Sequence, residues 1–162
     1  MIEQLPLLQA SNAAQSTTML MFAHSLIRWL VLISVGLSGF IALRGWLMNR
    51  PIIVWERSLA IVAVTLCHLQ IVFGLILYGI RFKRYLPPGF SPREITFWKY
   101  EHITAMFIAV ILVTMGRVLS KRAKTEPAKW KFIAIFYLIA LLLMCLTIPW
   151  PHTTMGMNRE WL

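Results

Sequence analysis

The chain contains four histidines, His24, His68, His102 and His152, and the first three fall inside long apolar stretches. An ionisable side chain in hydrocarbon is costly, so each of these should face the protein interior and have a partner or a ligand there. Neutral imidazole is the usual axial ligand of b-type haem, and haem sites in bundles are built from facing helices. His24, His102 and His68 are therefore the candidate ligands of a haem iron. Arg28 lies one turn from His24 on the same helix face. Its charge calls for Glu101 or a haem propionate, unless the side chain snorkels to the interface. The competing reading makes each histidine a helix-to-helix hydrogen-bond donor with no cofactor.

Axial ligands must reach the iron from opposite sides at nearly one membrane depth. His24 and His102 lie within about two turns of the same side, so their depths agree to roughly 5 Å at 1.5 Å per residue. His68 is about 10 Å deeper than His102 if its span begins near Tyr78. Depth favours His24 with His102, and His68 remains the alternative partner because helix ends shift by a few residues. Gln70, two residues after His68, falls on roughly the opposite side of the same helix. In the favoured case His68 has a second role, a hydrogen bond to Thr65 or a quinone.

These residues sit in a chain that is 59% hydrophobic and only 14% charged over 162 residues. A soluble domain of this size is about half apolar at most. Charge is concentrated in short segments between apolar runs, the pattern of a polytopic membrane protein. Spans are expected at about 17–43, 57–80, 97–119 and 130–148, each near or above the roughly 20 residues that cross a bilayer. Backbone groups in lipid must be satisfied internally, so the fold class is all-α, a four-helix transmembrane bundle over residues 17–151. Residues 1–16 read as an extramembrane tail and 152–162 as a C-terminal tail. Asn49-Arg50-Pro51 and Pro87-Pro88-Gly89 break the chain between spans. Ser91-Pro92-Arg93-Glu94 has the form of a capping box with proline at the first helical position, so the third helix should start outside the membrane. Pro149 and Pro151 end the fourth span around Trp150, an interfacial anchor.

The net charge of +10 does not imply a nucleic-acid partner, because the basic residues sit at span ends. Nine Lys and Arg lie between 44 and 57 or between 117 and 131, six lie between 81 and 99 or at Arg159, and none precedes Arg28. This bias places both termini outside the cytoplasm, in a bacterial cytoplasmic membrane. Without a basic n-region the first span should be retained rather than cleaved. Cys67 and Cys145 lie in apolar spans and no Cys-x-x-Cys-His occurs, so a disulfide is not expected and covalent haem attachment is excluded. The chain has no aspartate, no nucleophile–base pair and no Gly-rich phosphate loop, which leaves hydrolysis and phosphoryl transfer without support. A row of small residues, Ala105, Ala109, Val113 and Gly116, follows His102 on about one face; it suits close approach of a macrocycle or of a neighbouring helix. His152, Met155 and Met157 have soft ligands at short spacing, a weaker pattern for Cu(I).

The strings HSLIRWLVL, HLQIVFGLILY, EHITAMFIAVILVTMGR and IAIFYLIALLLMCLTIPWP resemble a family of small four-span membrane proteins of Bacteroidetes-type bacteria, commonly labelled "cytochrome B". The resemblance covers about residues 20–151 and rests on His24 and Arg28, His68, Glu101-His102, Gly116-Arg117 and Pro149-Trp150-Pro151. LQIVFGLILY and the Glu-His opening of the third span are also similar, more distantly, to pieces of haem A synthase and other four-helix b-type cytochromes. The resemblance implies haem. His24 and His102 open the first span of each half, but Leu146 falls where a counterpart of His68 would be, so one haem is expected rather than two. The expected function is a membrane-embedded b-type cytochrome in electron transfer, possible partners being the lipid bilayer, a quinone and the other subunits of a respiratory complex. The alternative is a cofactor-free structural or accessory subunit of a larger membrane assembly.

Overall fold

The computed structural model describes residues 4–81 and 91–153. Helix α1 runs Gln4–Leu47, α2 Val54–Arg81, α3 Pro92–Thr96, α4 His102–Arg122 and α5 Glu126–Thr147, with a π-helical turn, Phe97–Glu101, joining α3 to α4. Four rods result, Gln15–Leu47 within α1, Val54–Ile80, Pro92–Arg122 and Glu126–Thr147, each long and apolar enough to cross a membrane. The shortest, at 22 residues, spans about 33 Å against a hydrocarbon core of about 30 Å. The fold is an all-α four-helix bundle and the chain a multi-pass membrane protein. Helix α1 begins well before Thr17, so much of the expected tail is helical backbone continuous with the first span.

The ends of the helices follow local chemistry. Asn49 adopts a left-handed φ of 50° after α1. Arg50 N–H then bonds Gly45 O at 3.2 Å and Asn49 N–H bonds Trp46 O at 3.3 Å, a Schellman closure followed by Pro51. Ser91 and Glu94 form the capping box that the sequence announces, with Pro92 in the first turn. At the other end of the bundle, Glu56 is buried and receives the guanidinium fork of Arg50 together with Ile53 N–H. Glu126 accepts Ile52 N–H at 3.0 Å and pairs with Lys129. The 48–53 loop is thereby stitched to both α2 and α5.

The helices pack in the ring order α1, α2, α4, α5, which sets α1 opposite α4 and α2 opposite α5. Each inward seam runs in steps of three and four, the spacing of left-handed bundle packing. On α1 the buried seam is Val31, Val35, Ser38, Ala42 and Gly45; on α2 it is Ala60, Ala63 and Cys67. On α4 it is Ala105, Ala109, Val113, Gly116 and Ser120, and on α5 Trp130, Ile133, Tyr137, Ala140 and Met144. Small residues dominate because lipid gives no hydrophobic drive between helices, and close backbone approach supplies the packing energy instead. At Gly116 an added Cβ would lie 2.7 Å from Phe136 Cβ. This end of the small row on α4 is therefore occupied by α5. Tyr137 crosses the core from α5, and its hydroxyl donates to Ala60 O on α2 at 2.9 Å. Large apolar side chains such as Leu26, Ile33, Phe40, Val72, Ile111 and Leu142 point outward, as lipid contact requires. Both thiols are free, Cys67 in the α2 seam and Cys145 exposed.

Candidate functional site

Extending each seam toward the end where α1 and α4 enter the bundle brings polar residues into every helix. The α1 seam continues back from Val31 through Arg28 to His24. The α2 seam continues from Cys67 to Gln70 and Gly74. The α4 seam begins at His102, and the α5 seam continues from Met144 to Thr147. These positions meet in a single layer. Gln70 Nε2 donates to His24 O at 2.9 Å and stands 3.3 Å from His24 Nε2. His102 Nδ1 is 3.1 Å from Thr147 O. The two imidazoles, from helices on opposite sides of the ring, are near enough to act on each other electrostatically, and Arg28 acts on His24 as well.

The hydrogen bonds fix the tautomers. A carbonyl oxygen only accepts, so His102 carries a proton on Nδ1, and in the neutral ring the lone pair is on Nε2. Gln70 must aim its amide nitrogen at His24 O, so the same NH2 group faces His24 Nε2, which accepts. The proton of neutral His24 is then on Nδ1. That atom is buried without a hydrogen-bond partner, and so is Gln70 Oε1. Buried polar atoms are nearly always satisfied, so an unpartnered donor and an unpartnered acceptor in one layer mark a place that a ligand or water completes. Room for the imidazole comes from Gly74, where an added Cβ would stand 3.3 Å from His24 Cε1.

His102 follows the π-helical turn directly, and Phe97 and Trp98 of that turn pack beside its ring at centroid distances of 6.1 and 5.4 Å. Single π-turns inside helices are frequent at functional sites, since the extra residue re-aims the side chains around it. Half-buried Arg28 lies over the Trp29 ring at 5.4 Å. Glu101 is exposed and pairs with Arg93, eight residues earlier, rather than serving as the counter-charge expected for Arg28.

His68 does not join this layer. It is exposed on the outer face of α2, and its Nδ1 donates to Val64 O at 2.8 Å within its own helix. The expectation that it faces the interior is corrected by the seam itself: Cys67 and Gln70 are the inward positions, and at 100° per residue His68 turns away from both. The hydrogen bond that His68 makes is to Val64, and Thr65 donates instead to Ile61 O. Gln70 and Gly74 are the site residues that residue type alone does not single out; the three-four seam spacing is the signal that finds them. His152 is exposed and stacks on Trp150 at 6.4 Å, while Met155 and Met157 lie outside the described residues. No cluster of three or more His, Cys, Asp or Glu suited to a metal ion occurs among the described residues. Comparison with protein-family models, with curated proteins and with solved structures finds no match.

Proposed function

We propose that this protein is a membrane-embedded b-type cytochrome that transfers electrons through one haem held between His24 and His102. The observation that carries this reading is the pair of imidazoles in the seams of opposed helices α1 and α4, within one polar layer. The donor set fits haem. Thr147 O holds the proton of His102 on Nδ1 and so directs Nε2 as the ligand nitrogen. At His24 the Nε2 contact with Gln70 is the longer of the two that Gln70 makes, so His24 would hold the haem through Nε2 by giving up the weaker contact, with the amide still anchored on His24 O. Arg28 provides positive charge one turn away, suited to a propionate. The bound group would supply one-electron redox chemistry, and the chain supplies ligands, orientation and a surrounding from which water is largely excluded.

The test is haem content and the reduced-minus-oxidised spectrum of protein prepared with haem available. His24→Ala and His102→Ala should each lose the haem signal, and His68→Ala should keep it. Loss with His68→Ala, or no haem in the unaltered protein, removes this assignment, and absence of haem favours the structural or accessory-subunit reading. A quinone in the same layer is the second reading, favoured by the unpartnered atoms: a quinone oxygen accepts from His24 Nδ1–H, and a quinol hydroxyl donates to Gln70 Oε1. Solvent extraction of purified protein decides it, since a bound quinone appears in the extract and an empty site yields none. The cytoplasmic membrane, with both termini outside, is the location that the charge bias supports.

A further inference from the structure

At the end of the bundle opposite the histidines, a cavity of about 270 Å³ opens between α2, α4 and α5. Arg57 comes from the first turn of α2, Arg117 and Lys121 from the last turns of α4, and Lys129 from the first turn of α5. Buried Ser120 adds a hydroxyl and Ile133 contributes to an apolar floor. No acidic side chain lines the cavity. The carboxylates at this end are already engaged: Glu56 takes the fork of Arg50, and Glu126 takes Lys129 and Ile52 N–H. Among the described residues, Arg57, Arg117 and Lys121 form no ion pair.

Lys129 is already paired with Glu126, but Arg57, Arg117 and Lys121 converge from two helices on the same concavity without an ion-pair partner among the described residues and repel one another, and a bundle has no packing reason to gather them there. Topology alone accounts for basic residues at a helix end, but it does not require that they share a cavity. An anion relieves the repulsion. Two guanidinium groups present planar donor forks that match phosphate oxygens, the lysines add point charges, and the hydroxyl adds one neutral donor. We propose that this cavity is a binding site for a phosphate group. Two sources carry that chemistry, the headgroup of an anionic phospholipid and a soluble phosphate compound. A lipid would set its phosphate beside Arg57, Arg117 and Lys121 and lay its chains along the outward apolar faces.

The test uses the full chain in a non-ionic detergent at low salt. Melting temperature is followed while inorganic phosphate, phosphatidylglycerol micelles or phosphatidylcholine micelles are added, because a ligand of the folded state raises it. A rise with phosphatidylglycerol but not with inorganic phosphate assigns the lipid source. A rise with inorganic phosphate assigns the soluble one. Either rise should disappear at high salt and weaken at least tenfold in apparent Kd in Arg57→Gln/Arg117→Gln. If that variant does not fold, Arg57→Gln/Lys121→Gln, which changes two exposed side chains, gives the same reading. The proposal is overturned by no rise with either anion, by an equal rise with phosphatidylcholine, or by unchanged affinity in the charge-neutralised protein.

Discussion

At the scale of single residues, the informative contrast is His68 against Gln70. Residue type draws attention to the histidine, since imidazole ionises and ligates metals and an amide does neither. Geometry decides otherwise, because Ala60, Ala63, Cys67, Gln70 and Gly74 share one three-four progression and His68 is off it. His68 has its Nδ1–H satisfied by Val64 O, so part of the cost of exposure is met within its own helix. Depth favours His24 with His102 in the sequence but leaves His68 open as the partner, and the orientation of His102 by a main-chain carbonyl of α5 is not legible there, since no side-chain type encodes it. Gly74 permits a residue-scale test. An added side chain there meets His24 Cε1 at 3.3 Å, whereas at Gly79 nothing lies within 4 Å. If the proposed haem is bound, Gly74→Val should displace the imidazole and abolish most of its signal, and Gly79→Val should leave it intact, both read from the reduced spectrum. Equal spectra in the two variants would show that His24 is not a ligand.

At the scale of elements, breaks and caps were written in the sequence and the π-turn was not. Ser91 and Glu94 stand at capping-box spacing, and Asn49 before Arg50-Pro51 closes α1. No local motif announces the turn at Phe97–Glu101. Close contact between α1 and α5 is a tertiary matter. At Gly45 an added Cβ would lie 2.7 Å from Cδ2 of Trp130. That indole is buried, and its Nε1 donates to Arg50 O at 2.7 Å, so it has no direction in which to yield without losing a hydrogen bond. Gly45→Ala should destabilise the bundle by about 1–3 kcal/mol, the usual range for overpacking. Thermal unfolding in detergent measures it. Gly36→Ala, where the added atom meets Leu141 Cδ2 at an ordinary 3.5 Å, should change the melting point far less.

At the scale of the whole molecule, the bundle is polarised along its axis. One end holds the histidine layer, and the other gathers the cations of the cavity and the stitched loop at 48–53. The number of spans was legible because lipid leaves helices no alternative, but which helices oppose each other depends on packing that the spans alone do not dictate. Orientation is the remaining variable, and it sets whether the proposed haem lies near the outer or the inner surface. The bias of nine basic residues against six is the ground for the proposed orientation, with the cation-rich end facing the cytoplasm. Two single-cysteine substitutions test this in the native cysteine background, because Cys67 is buried in the seam and exposed Cys145 lies in an apolar span, out of reach of a charged reagent. Met48→Cys places a thiol in the turn after α1 without removing a charge, and His152→Cys places one beyond α5, both at exposed positions. A membrane-impermeant maleimide added to intact spheroplasts should label His152→Cys, and should label Met48→Cys only after permeabilisation. The reverse pattern would put the histidine layer on the cytoplasmic side, and any electron partner of His24 and His102 would then have to approach from there.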